Sequence, residues 1–371
     1  MSRNIGIVSI WELGEEAFAG TEHFIHNLGL AIEREGNHVI CISPATTNVY
    51  KGLDHKTIKL EGISNVDEHV LRNYVNDIGA KSTISLFSDA LKLFEKDNPE
   101  IDAYIINSPF FAYFASDKSH AFVLHDNPDE FDNYLGRVEA KEFIEAFSEG
   151  MKTRVITPSK HYQKIYGDLL GRNIEVIEHA LDPKYVGRKI SKTNLANSEE
   201  IKIIIPSRLE PKQKGQDVAL NAIGLLEKSL REKISLTLTG LDTPYLKNQK
   251  TLHLKSTELG IKVKINKYDD LLTPIINSDI VILPSRFESF GYSAQESLAL
   301  GKRVILSNIP TYLEIGSGTS NVSYFQSGDE KDLARVLAQT IKSGEESIPN
   351  NNWFSRYDYK LWGKRYLDNL K

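Results

Sequence analysis

Two α/β domains, each built on an open parallel sheet, are the fold class this sequence predicts, and three observations carry it. The first is the stretch IVILPSRFESFGYSAQESLALGKRVILS, residues 280–307. It runs from a β-branched strand through a loop broken by Pro284, Ser285 and Gly291, into a helix over 293–300 and out to a strand over 304–306. The second is the polar segment KISKTNLANSEE, residues 189–200, which has no apolar periodicity and divides that series from an earlier one of the same kind. The third is length, since 371 residues exceed what one hydrophobic core usually organises. The expected domains are 1–187, completed by 354–371, and 188–353.

Composition narrows the function classes. With 40% apolar and 26% charged residues the chain reads as an ordinary globular protein. A net charge of -5, with no basic stripe interleaved with aromatics, gives no reason to expect nucleic acid as a partner. Cys41 is the single cysteine, so no disulfide framework exists within the chain, and its apolar surroundings assign it to packing. The opening MSRNIGIVSI lacks a secretory apolar core, and no apolar run approaches the ~20 residues of a spanning helix. The expectation is a cytoplasmic protein, with peripheral attachment to the inner face of the membrane left open.

In the first half, Ile5–Ile10 reads as a strand, followed by a helix over 21–34 that puts Phe24, Leu28 and Ala31 on one face. Gly20 opens that helix, either to let a ligand approach the backbone at a helix start or to make a tight turn. Gly36-Asn37 stops the helix before a strand over 39–42. Residues 43–80 read as loops and short strands. A helix over 82–94, ridged by Ile84, Phe87, Leu91 and Phe94, precedes a strand over 103–106, and a further helix is expected to begin at Phe110. The short strand 121–124 ends in His125-Asp126-Asn127-Pro128. An imidazole at a strand end suits donation to a ligand oxygen or orientation of a reacting hydroxyl, and the alternative is a polar pair pinning the Pro128 turn. A helix over 137–147, a strand over 155–157, a helix over 160–169 and a strand over 174–177 complete this half.

The second half opens with a strand over 201–206 that runs into SRLEPKQKG. Arg208, Lys212 and Lys214 share that loop just before a helix from Gln216, and Gly215 permits a tight approach. A diphosphate would satisfy such a loop, although a solvated basic turn fits the same residues. Strands over 234–239 and 261–265, with helices over 252–259 and 271–276, lead to the strand at 280. Glu288 then falls at the carboxyl edge of the sheet, where open α/β sheets hold ligands. Glu296 falls one to two turns into the next helix, so the two carboxylates can address different hydroxyls of one ligand. Free N–H groups at 292–294 favour an anion. Ser293 with Glu296 also fits a capping box, in which the glutamate serves only its own helix. A helix over 332–341 follows. Trp353, Tyr357, Tyr359, Trp362 and Tyr366 make an aromatic helical tail that calls for burial on another element. No zinc-ligand set, Walker loop or serine-hydrolase elbow is present, and the acids have no spacing that establishes a magnesium site.

Glu288-Ser289-Phe290-Gly291 followed by Glu296, with Pro284-Ser285 ahead of it, resembles the paired-glutamate motif of glycosyltransferase family 4, the retaining nucleotide-sugar glycosyltransferases of GT-B architecture. Ser207-Arg208-Leu209 through Lys214-Gly215 resembles that family's donor-phosphate loop, Ala19-Gly20-Thr21-Glu22 its first-domain glycine loop, and His125 its histidine near the reacting sugar. Pro158-Ser159 resembles a further structural junction of the family, and the aromatic tail its terminal helix, which crosses back to the first domain.

The resemblance implies two Rossmann-like domains separated by a deep cleft, the first for the acceptor and the second for the donor. It implies that Arg208 and Lys214 hold the donor diphosphate and that Glu288 contacts the transferred sugar. Backbone groups around Phe290, Gly291 and Tyr292 would position sugar and phosphate, and Glu296 would hold the ribose hydroxyls. His125 would contact the donor sugar, and Gly20 would lie near phosphate and acceptor. His125, Arg208, Lys214 and Glu288 are thus the expected catalytic residues. No metal and no cofactor are implied, the nucleotide-diphosphate sugar being the donor substrate and a glycan, glycolipid, glycopeptide or small molecule the acceptor. Three departures bear on the pockets: Ala19 in place of a second glycine, Glu178–Asp182 in place of an Asn-Gly turn, and Ser293-Ala294 without the usual proline. The activity implied is retaining hexosyl transfer to an acceptor hydroxyl, in bacterial surface glycan, glycolipid or glycoprotein synthesis. A noncatalytic sugar-nucleotide or polysaccharide binding protein is the alternative, and a GT-B phosphorylase a lower one.

Overall fold

The computed structural model describes residues 2–11, 20–44, 52–60, 66, 68–128, 131–186, 188, 195, 198–240, 246–268, 270–343 and 353–371. The chain divides into two compact units, Met1–Ala180 with Asp358–Lys371, and Leu181–Tyr357. From the sequence the changes of domain are expected at 187/188 and 353/354. Residues 181–186 and 354–357 lie with the second unit because Leu181, Tyr185, Trp353 and Tyr357 are buried in its core.

Seven strands build the first unit's sheet: β1 (Asn4–Ser9), β2 (His38–Ser43), β3 (Asp54–Thr57), β4 (Ala103–Asn107), β5 (Ser119–Val123), β6 (Arg154–Thr157) and β7 (Glu175–Val176). Their order is β3-β2-β1-β4-β5-β6-β7, and every pairing is parallel. Ile5 and Ile7 of β1 lie between Val39 and Cys41 on one side and Ala103 and Ile105 on the other. Continuous apolar runs such as IGIV and YII satisfy a sheet covered on both faces. Cys41 is fully buried there, and burial pushes its thiol up to about 12. One face packs Val8, Ile106 and Phe122 with Phe87 and Leu91 of the Ala80–Asp97 helix and Phe143 and Phe147 of the Arg137–Gly150 helix.

The Gly20–Arg34 helix lies against β2, and the terminal Tyr359–Asp368 helix lies against it in turn. Trp362 meets Phe24 edge-on at 5.7 Å and Tyr366 at 5.9 Å, and the Tyr359 hydroxyl donates to the Asn27 carbonyl at 3.0 Å. The aromatic tail is therefore two elements. Trp353–Tyr357 is a short 3-10 turn in the second unit's core. Asp358 then accepts the Lys360 N–H at 2.8 Å and starts a new helix, which carries the remaining aromatics to the first unit.

The second sheet comprises β8 (Ile201–Ile205), β9 (Ile234–Thr239), β10 (Lys262–Asn266), β11 (Ile280–Leu283), β12 (Arg303–Ser307) and β13 (Val322–Phe325), in the order β10-β9-β8-β11-β12-β13. It too is parallel throughout. The two-residue alternation of β11 divides the core. Ile280 and Ile282 pack with the Gln216–Gly224 and Glu330–Ser343 helices. Val281 and Leu283 pack with Ala294, Leu298, Tyr312 and the incoming Tyr185 and Trp353.

Two sequence expectations change. Residues 68–78, placed among loops, form a helix, and Phe110 lies in a 3-10 turn, Pro109–Phe111, rather than at the start of a helix. Ser108 caps that turn by accepting the Phe110 N–H at 3.2 Å, and Pro109 sits at its first position. Among the described residues no helix is long and apolar enough to cross a membrane.

Candidate functional site

The winding of the second sheet reverses between β8 and β11, and the loops leaving their carboxyl ends lie side by side there. The loop after β8 carries the short Pro211–Lys214 helix, which Gly215 ends in the left-handed region at φ +69°. A Cβ at that position would stand 2.0 Å from the Pro284 carbonyl oxygen, so only glycine lets this loop close on the end of β11. Arg286 fastens the two loops together. Its N–H donates to the Gln213 carbonyl at 2.8 Å, and its guanidinium grips the Asp217 carboxylate at 2.9 and 3.1 Å and the Pro211 carbonyl at 2.6 Å. The Asp217 carboxylate raises the Arg286 pKa.

Within this frame the Lys214 ammonium donates to Glu288 Oε1 at 2.7 Å, with side chains only 14% and 11% exposed. The same oxygen accepts the Ser285 hydroxyl at 2.9 Å and lies 3.3 Å from the Tyr312 hydroxyl, and the Glu288 carbonyl accepts Thr311 Oγ1 at 2.7 Å. Glu288 is thus fixed at both side chain and backbone. Lys214 uses one of its three donors on it. Arg208 lies in the same loop, its Nη2 donating to Gln213 Oε1 at 2.6 Å and its Nε 2.8 Å from Glu210 Oε2. Lys212, grouped with them by sequence, is exposed.

Gly291 precedes the Tyr292–Ala299 helix at φ +99°, and a Cβ there would meet the Tyr312 ring at 2.7 Å. Phe290 is buried, its ring edge-on to Tyr292 at 5.5 Å and to Tyr357 at 6.1 Å, so this residue offers a ligand its backbone rather than its side chain. The capping-box alternative is not what forms. The helix begins at Tyr292 without a side-chain cap, and Ser293 donates to the Pro206 carbonyl at 2.6 Å, tying the helix start to the end of β8.

Glu296 faces a different set of groups. It accepts a hydrogen bond from Tyr185, and Lys184, Asp182 and Asp270 surround it. Lys184 Nζ lies 3.0 Å from Asp270 and 3.5 Å from Asp182. Burial pushes the Glu296 carboxyl up to about 8. Lys184 opposes that rise, Asp182 and Asp270 add to it, and the Tyr185 bond lowers it.

In the first unit, His125 follows β5 and its ring meets Phe24 edge-on at 4.5 Å and His179 at 5.0 Å. Burial lowers its pKa to about 3, so the imidazole is neutral near pH 7. Its Nε2 is buried without a hydrogen-bond partner. Neighbouring Asp126 is exposed, and its carbonyl, not its carboxylate, accepts the Tyr166 hydroxyl at 2.7 Å. Gly20 is exposed at the first position of its helix, while Ala19 lies outside the described residues.

The second unit therefore brings Arg208, Lys214, Glu288, Gly291, Tyr292 and Glu296 to the loops and helix that follow β8 and β11. Sequence reasoning missed Tyr312, which backs Glu288, and the Arg286–Asp217 clasp. A signal existed only for Arg286, a cation inside a recognised loop. Among the described residues no group of three or more His, Cys, Asp or Glu side chains is placed to share a metal ion.

Two parallel-sheet α/β units of this order define a GT-B fold. Residues 187–354 match the family model described as glycosyl transferases group 1, a match that lies within the second unit. Solved structures repeat the fold over the whole chain. Sucrose-phosphate synthase from Thermosynechococcus elongatus is 15% identical with a TM-score of 0.75, covering 99% of this chain and 98% of its own. Anabaena HepE, solved in complex with UDP and glucose, is 17% identical with a TM-score of 0.73 over 99% and 98%. WaaG, a glycosyltransferase involved in lipopolysaccharide biosynthesis, is 12% identical with a TM-score of 0.74 over 99% of each chain. No curated protein matches the chain in sequence.

Proposed function

We propose that this protein transfers a hexosyl unit from a nucleotide-diphosphate sugar to an acceptor hydroxyl with retention of anomeric configuration. The observation that carries the reading is the nearly buried Lys214 ammonium, fixed by Glu288 where the loops after β8 and β11 meet beside a helix start. Lys214 has two donors left for the diphosphate. Arg208 adds a second cation to the same loop, and the amides at the start of the Tyr292–Ala299 helix favour negative charge.

In the proposed step the acceptor oxygen bonds to the anomeric carbon as the bond from that carbon to the diphosphate oxygen breaks. The acceptor proton passes to the departing phosphate on the same face of the sugar. Lys214 and Arg208 stabilise the charge that develops on the leaving group, and no metal or cofactor is assigned a part. Glu288, already engaged by Lys214, Ser285 and Tyr312, positions sugar hydroxyls instead of attacking carbon. Glu296 takes the ribose hydroxyls. His125, neutral and with an unpartnered Nε2, is assigned to a donor-sugar hydroxyl, and Gly20 to the approach of phosphate and acceptor. Synthesis of a surface glycan, glycolipid or glycoprotein is the setting we propose, with peripheral attachment to the inner face of the cytoplasmic membrane where the acceptor is a lipid.

A panel of nucleotide sugars with lipid extracts and small glycans as acceptors, read by mass spectrometry and by NMR of the new linkage, tests this. The product should keep the donor's anomeric configuration, and an inverted linkage overturns the assignment. Lys214→Ala should lower kcat/KM for the donor by about 10²–10³-fold with the fold intact by circular dichroism. Unchanged donor kinetics would remove Lys214 from the phosphate site.

A further inference from the structure

At the opposite edge of the first unit's sheet, the amino ends of β5 and β6 border a shallow, open recess of about 510 Å³. Four cationic side chains line it, Lys118, Lys152, Arg154 and Arg172, and among the described residues no carboxylate does. In a chain of net charge -5 such an arrangement is not a consequence of composition. Glu100 is close enough to feel Lys118, but its carboxylate is held by Lys56.

Three of the cations are held by backbone carbonyls, Lys118 through a 3.1 Å donation from Nζ to the Pro99 carbonyl. Arg172 donates from Nη1 to the Lys152 carbonyl at 3.0 Å and from Nη2 to the Met151 carbonyl at 2.7 Å, and Arg154 donates from Nη1 to the Asn369 carbonyl at 2.8 Å. Neutral acceptors leave both guanidinium charges unbalanced and several of their N–H groups uncommitted. The lining also holds two buried polar atoms with no hydrogen-bond partner, His120 Nε2 and Thr153 Oγ1. His120, itself 9% exposed, turns Nδ1 to the Lys118 carbonyl at 3.0 Å and lies edge-on to Phe114 at 5.3 Å, so its ring is held by contacts of its own. A carbonyl only accepts, which places the proton on Nδ1. Nε2 is then an acceptor in the neutral ring and a donor in the charged one, and the Thr153 hydroxyl can do either.

We infer that this recess is a second oxyanion site, one that binds a phosphomonoester group. Such a group offers negative oxygens to Lys118, Lys152, Arg154 and Arg172, and a P–OH or neighbouring hydroxyl to His120 Nε2. It would satisfy both orphaned atoms and the unbalanced charges together. The recess belongs to the first unit and Lys214 to the second. His125 lies beyond the other end of β5, after Val123, so the length of the strand separates it from the recess.

Protein labelled with 15N-histidine tests it through the His120 imidazole signals, assigned with His120→Asn. Inorganic phosphate and glycerol 3-phosphate should shift those signals saturably. The Lys118→Ala/Lys152→Ala double variant should weaken the titration by about tenfold or more, while Lys214→Ala leaves it unchanged and so separates this site from the donor site. Vesicles of phosphatidylcholine with and without phosphatidic acid distinguish the source. A shift produced only by phosphatidic acid, and lost in the double variant, assigns the site to a lipid headgroup. His120 signals indifferent to every probe, or equal affinity in the double variant, overturn the inference.

Discussion

Glu288 and Glu296 carry the same functional group eight residues apart, and their neighbours make them chemically different. Glu288 stands in a charge pair whose partners are 14% and 11% exposed, where removing one member leaves the other without a countercharge. Glu288→Ala should therefore cost about 2–4 kcal/mol in a urea melt, and a nucleoside diphosphate that binds Lys214 should recover part of it by mass action. Glu296 behaves in the opposite sense. Its carboxyl ionises near 4.5 when unfolded but only near 8 in the folded chain. Between those values the folded state keeps a proton the unfolded state has lost, so stability falls as pH rises through that window. Glu296→Gln, which keeps the protonated shape, should gain stability relative to the parent between about pH 5 and about pH 8, by up to a few kcal/mol. Paired melts across that range check it, and a pH-independent difference would contradict the burial of the group. Both carboxylates were legible because each sits at a fixed offset from a recognisable strand end. Tyr312 was not, because a hydroxyl that reaches Glu288 from 24 residues away leaves no local pattern.

Among the elements, most strands and the long helices could be read from apolar runs and three-to-four-residue spacing. The strands over 234–239 and 280–283 were delimited to the residue. The helix over 68–78 was not, although Val70, Leu71, Tyr74, Val75 and Ile78 recur at three-to-four-residue spacing, because the polar and irregular residues ahead of it obscure where that pattern starts. The split of the aromatic tail at Asp358 was missed for a related reason: one helical pattern was assumed where a cap restarts the chain. The loop after β8 offers the sharpest test at this scale. Gly215→Ala meets both a positive φ and a carbonyl oxygen at 2.0 Å. It should cost more than about 2 kcal/mol and abolish donor binding while β8 and β11 stay protected in hydrogen exchange.

For the molecule as a whole, two α/β units could be anticipated from the polar break near 189–200, but where each unit ends could not. That depends on which core takes up Leu181, Tyr185, Trp353 and Tyr357, a matter of partners distant in sequence. Trp362 belongs to the first unit through Phe24, His179 and Tyr366. Trp362→Ala should destabilise that unit by about 3–5 kcal/mol. The expected signature is lost amide protection in β1, β4 and β5 with β8, β11 and β12 unaffected. Equal loss in both units would contradict the division.

Because the terminal helix packs on the Gly20–Arg34 helix, the first unit is discontinuous along the chain and the second is one unbroken segment. Joining Tyr359 to Asn27 closes a loop across 332 positions, an entropic cost that falls on the discontinuous first unit and not on the second.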